Sequence, residues 1–216
     1  MVVMILGAVG VAVANVTIGL PADVGQGNCF PFGCAYNSEY QQVYNSSQFN
    51  GPITITNLEF FNTQIKSGAT GMNTGNWAIS LSTTSADWNT LSTTYSNNLG
   101  SNNTLVFSGD LSQPWVFGGI LAINLSTPFT YNPLNGNLLM DVVATNNSNS
   151  GDGIWFDTNG GNSYMGRLAE GGEIESGYGL VTEFSTGTTP VPEPATMLLL
   201  GLGLMGLAGV RRKLMK

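Results

Sequence analysis

Ile53-Thr54-Ile55-Thr56-Asn57-Leu58-Glu59-Phe60 alternates apolar and polar side chains along most of its length. A period of two sets Ile53, Ile55 and, while the alternation holds, Asn57 on one face of an extended chain, so the stretch reads as a half-buried strand. Asn50-Gly51-Pro52 stands just before it as a turn signal, with Pro52 placed where a proline can begin a strand. The same short-strand texture runs outward in both directions. Tyr40-Gln41-Gln42-Val43-Tyr44 alternates aromatic and polar, and Trp77, Ile79 and Leu81 share a face. Residues 105–107, 119–125, 138–144, 154–156 and 178–184 are further candidate strands, Asn135-Gly136 is a turn, and residues 97–103 and 145–153 read as exposed loops. No stretch before residue 190 keeps a 3.6-residue apolar period. The expected fold is all-β, an antiparallel β-sandwich of jelly-roll-like type, with almost no helix ahead of the tail.

The composition narrows the function. The chain has 216 residues and a formal charge of −7. That figure hides an asymmetry, because four of the six basic residues follow Val210. Between residues 15 and 190 only Lys66 and Arg167 oppose twelve acids, a formal charge of −10. Nucleic-acid binders need clustered Lys and Arg, so that class is excluded. Histidine is absent, which removes the commonest general base near neutrality and the commonest zinc ligand.

Residues 2–14 form an apolar stretch too short to span a bilayer and suited to the core of a signal peptide. Ala12-Val13-Ala14 offers small residues for cleavage before Asn15. A basic leader is missing, and a buried first strand is the alternative reading. Cys29-Phe30-Pro31-Phe32-Gly33-Cys34 places two cysteines around a Pro/Gly turn. In an oxidising compartment Cys29 and Cys34 would form a disulfide; the alternative is two reduced thiols.

The C-terminal end has three parts in fixed order. Pro192-Glu193-Pro194 is followed by an uncharged apolar run over residues 195–210, then by Arg211-Arg212-Lys213 and Lys216. Sixteen helical residues reach about 24 Å, somewhat short of a hydrocarbon core of roughly 30 Å. The basic tail fits the cytoplasmic side of a membrane segment. Residues 191–213 resemble the PEP-CTERM sorting signal of Gram-negative bacteria. That resemblance implies an exported protein recognised by the membrane protease-transpeptidase exosortase. It assigns the sorting motif to Pro192, Glu193 and Pro194, a single hydrophobic helix to residues 195–210, and the orientation signal to Arg211, Arg212 and Lys213. The inner membrane is then a partner through residues 195–210 before processing. The segments from Tyr40 to Tyr44, Phe49 to Ile55, Pro128 to Pro133 and Asn137 to Val142 are in addition similar to β-sandwich domains found in PEP-CTERM proteins, which implies no chemistry.

Within the body, no Ser-His-Asp triad is available without histidine. Asp110, Asp152, Asp157, Glu170, Glu173 and Glu175 are the carboxylates to test as a glycosidase pair, with solvated loop acids as the plainer reading. Asp152-Gly153-Ile154-Trp155-Phe156-Asp157-Thr158-Asn159 resembles part of a calcium loop, making Asp152, Asp157 and Asn159 weak metal candidates. Ile154 and Phe156 stand where oxygens are needed, so a strand ending in an Asx turn competes with it. Trp77, Trp88, Trp115 and Trp155 raise the question of sugar stacking; Trp77 reads as core, Trp88 and Trp115 lie beside loop residues where a ring can be exposed, and structural packing is the plainer reading for each.

The chain therefore divides into residues 1–14 as signal peptide, 15–184 as ectodomain, 185–190 as linker and 191–216 as sorting segment. The expected function is a non-enzymatic, exported surface or extracellular-matrix protein without a cofactor. The alternative is a lectin-like sandwich that binds exopolysaccharide, with calcium as its one conceivable cofactor.

Overall fold

The computed structural model describes residues 15–148 and 152–186. Its strands, in chain order, are β1 (Val16–Ile18), β2 (Glu39–Tyr44), β3 (Ile53–Phe61), β4 (Thr74–Thr84), β5 (Thr104–Gly109), β6 (Ile120–Tyr131), β7 (Asn137–Ser148), β8 (Thr158–Asn159), β9 (Met165–Ala169), β10 (Glu173–Ser176), β11 (Gly179–Leu180) and β12 (Thr182–Thr186). All paired strands are antiparallel. Among the described residues the helical segments are four 3-10 turns of three residues each. None of them is long and apolar enough to cross a membrane.

A four-stranded sheet runs β1-β12-β3-β6 and a six-stranded sheet runs β10-β9-β2-β7-β4-β5, with β11-β8 as a separate ribbon. The chain changes sheet at each connection from β1 to β7 except β4 to β5. One core fills the space between the two inner faces. Ile55, Leu58, Phe60, Leu121 and Phe184 come from the smaller sheet, and Tyr44, Trp77, Ile79, Leu81, Met140 and Val142 from the larger. Across that gap the Tyr44 ring meets Phe184 edge-on at 4.9 Å, and the two hydroxyls of Tyr44 and Thr182 lie 2.9 Å apart.

The stretch Ile53 to Phe60 is one strand, but its inward face differs from the expected one. The register shifts between Ile55 and Asn57 where β3 meets β6 and, at its other edge, between Ser185 and Thr186 of β12. A bulge inserts one residue and reverses the alternation. Ile53 and Ile55 therefore point inward before the bulge, and Leu58 and Phe60 after it, while Asn57 leaves that face.

Other boundaries move for similar local reasons. Residues 154–156 are not a strand: Phe156 makes an isolated bridge to Asn28. The expected loop 145–153 begins later, because β7 continues to Ser148, pairing with Thr74 through a bulge that Asn146 passes at φ 52°. β12 includes Ser185 and Thr186, paired with Asn57 and Ile55, so the body extends two residues past the expected linker boundary. The C-terminal hydrophobic helix, the sorting motif, the basic tail and the signal peptide lie outside the described residues.

The outer face of the larger sheet has a second, smaller core. The connection between β4 and β5 folds back over it, so Leu91, Trp88, Tyr95 and Leu99 pack on Val43, Leu139 and Leu168. The two poles of the body also differ. Asn15 and Thr186 meet at one pole through a Thr186 N–H to Asn15 Oδ1 bond of 3.3 Å. At the other pole gather the loops after β1, β3, β5 and β7, since Ile18 pairs with Thr182, Phe60 with Thr182, and Phe61 with Ile120.

Candidate functional site

The loop pole is built on two buried polar residues, Asn62 and Asp157. Asn62 follows β3, and its main chain joins the turn before β6: its N–H reaches Gly119 O at 3.2 Å, and its carbonyl accepts from Gly118 N at 2.9 Å. Its side-chain amide donates to Trp155 O at 2.7 Å and Ile65 O at 2.8 Å, while its Oδ1 accepts from Trp115 Nε1 at 3.1 Å. One side chain thus ties three loops together. Such full satisfaction is what makes a buried amide tolerable.

Asp157 does the same for the next turn. Its carboxylate accepts from Thr63 N at 2.7 Å, Thr63 Oγ1 at 2.6 Å and Gln64 N at 3.1 Å. Asp152 accepts from Gly68 N at 3.2 Å. Asn159 donates to Pro21 O at 2.8 Å, and its Oδ1 accepts from the Tyr164 hydroxyl at 2.7 Å. Asp157 and Asp152 thus hold separate points of the loop after β3, and Asn159 holds other segments. Among the described residues no group of three or more His, Cys, Asp or Glu is assembled for a metal.

Cys29 and Cys34 are joined by a disulfide. The loop it closes turns so tightly that Gly33 and Cys34 both donate main-chain bonds to Cys29 O. Gly33 also abuts the Ile154 carbonyl, and a side chain on Gly153 would come within 2.7 Å of Cys34 Sγ. These close approaches require glycine at both positions. The disulfide corner therefore packs against the segment that carries Trp155.

Three of the four tryptophans pack into the body and one is exposed. Trp77 is core, with its Nε1 donating to Pro31 O at 3.2 Å. Trp115 is buried rather than exposed, because Asn62 supplies an acceptor for its indole N–H and Phe156 packs on its ring at 5.6 Å. Trp88 is partly buried beneath the β4–β5 connection. The exposed indole is Trp155, 38% accessible, within a segment read as a strand.

The acids considered as a glycosidase pair have separate duties. Asp110 accepts from the Ser112 hydroxyl at 2.7 Å, which holds its carboxyl below the usual range, and it also accepts from Gly75 N. Glu175 forms an ion pair with Arg167 at 2.8 Å, and Arg167 stacks over the Tyr178 ring at 4.6 Å. Glu170 and Glu173 are exposed beside a 3-10 turn.

The carboxyl pair that the structure does bring together is Glu39 with Asp141, on neighbouring strands β2 and β7. Burial and the hydrogen bond to Asp141 push Glu39 up to about 7. Burial likewise raises Asp141, opposed by its 3.0 Å bond from Gln41 Nε2. Gln41 continues the chain of contacts to Asn98 at 2.8 Å and to Tyr95 O at 3.1 Å. Tyr95, desolvated near Glu39, is pushed up to about 12. The sequence signal for this pair was an acid inside the apolar run Leu138-Leu139-Met140-Asp141-Val142.

Residues 190–213 match the family described as the PEP-CTERM protein-sorting motif. The chain carries a PEP-CTERM sorting signal. Comparison with curated proteins and with solved structures returned no match. The PEP-CTERM motif marks the chain for exosortase-dependent sorting as a secreted or surface protein, with export and a membrane-associated precursor before surface sorting.

Proposed function

We propose that this is a non-enzymatic surface or extracellular-matrix protein, delivered as a β-body on a disposable C-terminal address. The carrying observation is the PEP-CTERM motif at residues 190–213, joined to an all-β body that ends at Thr186. In this reading exosortase recognises Pro192, Glu193 and Pro194 and cuts near them. The apolar residues 195–210 hold the precursor in the inner membrane, and Arg211, Arg212 and Lys213 set its orientation. A jelly roll is the body that this reading favours. With β8 to β11 set aside as an insertion, the eight remaining strands order as first-eighth-third-sixth and second-seventh-fourth-fifth, which supports two interlocked Greek keys. Replacing all three PEP residues by alanine should leave the tail attached. Mass spectrometry of the mature protein checks this, and a C-terminus unchanged from wild type overturns the processing step.

A second reading, carbohydrate binding by the body, draws on the exposed indole of Trp155. Calcium is its one conceivable cofactor, with Asp152, Asp157 and Asn159 bonded to separate main-chain and side-chain partners rather than to one centre. A glycan array that includes the producer's own exopolysaccharide tests it, and an array without a signal would sink it.

A further inference from the structure

Large apolar side chains left in water are unevenly placed on this body. Nine are exposed among the described residues, and Leu20, Val24, Val116, Phe117, Ile120 and Trp155 all sit at the loop pole. Val24 is 90% accessible and Val116 73%. Single exposed hydrophobes need no explanation, but a concentration of them at one end does.

The rim is held rigidly. Trp155 is fixed by its carbonyl on Asn62 and by Gly27 packed against its Cβ. Phe117 lies in the turn whose ends, Val116 O and Gly119 N, are bonded at 3.0 Å, and the next residue, Gly118, donates to Asn62 O. The main chain at Trp155 and beside Phe117 is therefore anchored to the same asparagine. Aromatic groups fixed before binding lose little conformational entropy when a ligand arrives.

The occupant is constrained by charge and by position. The body carries two basic residues against twelve acids, and Arg167 is already paired with Glu175. A field of that sign repels anionic polymers and anionic membranes. The loops of this pole carry Lys66 as their one base against Asp23, Asp110, Asp152 and Asp157, and Thr63, Gln64 and Gln26 add uncharged polar groups. Neutral sugars offer the complementary surface, with C–H faces for aromatic rings and hydroxyls for amides. The pole is also opposite Asn15 and Thr186, where the chain enters and leaves the body, so it is free of the sorting segment's attachment point.

We propose that the loop pole, centred on Trp155 and Phe117 around Asn62, is a binding platform for an uncharged polysaccharide. This rests on the carbohydrate reading above and gives it a location and a ligand class. The test uses the full chain in mild detergent, by affinity electrophoresis in gels containing dextran, galactomannan or alginate. Retardation is expected with at least one neutral polymer and not with alginate. Trp155→Ala and, on a separate loop, Phe117→Ser should each weaken it at least tenfold while the thermal midpoint stays within a few degrees of wild type. Neutral-polymer binding that survives both substitutions overturns this site while leaving the carbohydrate reading standing. Absence of any glycan binding overturns both, and binding to alginate alone overturns the neutral-ligand assignment.

Discussion

Asp157 and Thr63, 94 positions apart in the chain, are joined twice: the carboxylate accepts the Thr63 N–H at 2.7 Å and its hydroxyl at 2.6 Å. This contact, with the third bond from Gln64 N, fastens the loop after β3 to the segment leading into β8. Asp157 is 3% accessible, and removing its carboxylate takes the acceptor from three donors on the exposed Thr63 and half-buried Gln64. An unsatisfied buried donor costs about 1–3 kcal/mol. Asp157→Ala should lose roughly 3 kcal/mol, a fall in thermal midpoint of about 6–12 °C for a domain of this size. Asp157→Asn, which keeps one acceptor, should lose less. Urea denaturation of both variants checks the ordering, and equal stability of Asp157→Ala and wild type would contradict the hub.

The Glu39–Asp141 pair makes stability depend on pH in a defined direction. The folded state holds the Glu39 proton up to about pH 7, whereas an unfolded Glu releases it near 4.5. Its contribution is therefore complete below about pH 4.5 and is lost as the pH rises through 7. Glu39 is only partly buried, so solvent screening leaves about 1 kcal/mol of the nominal effect. Wild type should lose that amount between pH 5 and pH 8 relative to Glu39→Gln, whose amide donates to Asp141 at every pH. Urea midpoints for both proteins at the two pH values measure the difference. Parallel pH profiles would remove the shared proton.

Much of the strand plan was legible because it depends on local alternation, and the misreadings have identifiable causes. Trp77, Ile79 and Leu81 share a buried face as their spacing requires. At Thr56 the bulge reversed the pattern, and nothing local in Ile53 to Phe60 announces an inserted residue. β9 was invisible because Met165 to Ala169 is buried at every position, on one side by the main core and on the other by the second core. Full burial erases the period of two. The burial of Trp115 could not be fixed locally, because its indole partner, Asn62, lies 53 residues away. The sorting signal was readable in full, since its recognition depends on contiguous residues rather than on folding.

The disulfide should matter locally rather than globally. Cys29 and Cys34 are five positions apart, and a loop that short restricts the unfolded chain by about 2 kcal/mol on the loop-entropy model. Reductant should lower the wild-type unfolding free energy from urea denaturation by that amount and leave Cys29→Ala/Cys34→Ala unaffected. The same treatment should raise the proteolytic sensitivity of the neighbouring segment around Gly153, which packs on Cys34 Sγ. A variant that responds to reductant as strongly as wild type refutes the assignment.

Gln42 should be among the least replaceable residues of the body. It is fully buried on β2, and its amide acts as one rung of a ladder: Nε2 donates to Leu180 O at 2.9 Å, and Oε1 accepts from Leu180 N at 2.8 Å. The same oxygen takes the Tyr40 hydroxyl at 2.7 Å. Only a planar amide offers a donor and an acceptor at that spacing, so β11 is docked on β2 by a side chain imitating a backbone. Gln42→Leu matches the apolar surroundings but leaves the Leu180 N–H and the Tyr40 O–H without an acceptor, and the Leu180 carbonyl keeps only the Thr182 hydroxyl as donor. Gln42→Glu keeps the acceptor and loses the donor, and adds the cost of a buried charge. At 1–3 kcal/mol per stranded group, Gln42→Leu should lose roughly 3–5 kcal/mol. Hydrogen exchange distinguishes this from general loosening: the amides of Leu180 and Val181 should lose protection well before those of β3 and β6. Uniform loss of protection across both sheets would show that Gln42 supports the core as a whole and not the docking of β11.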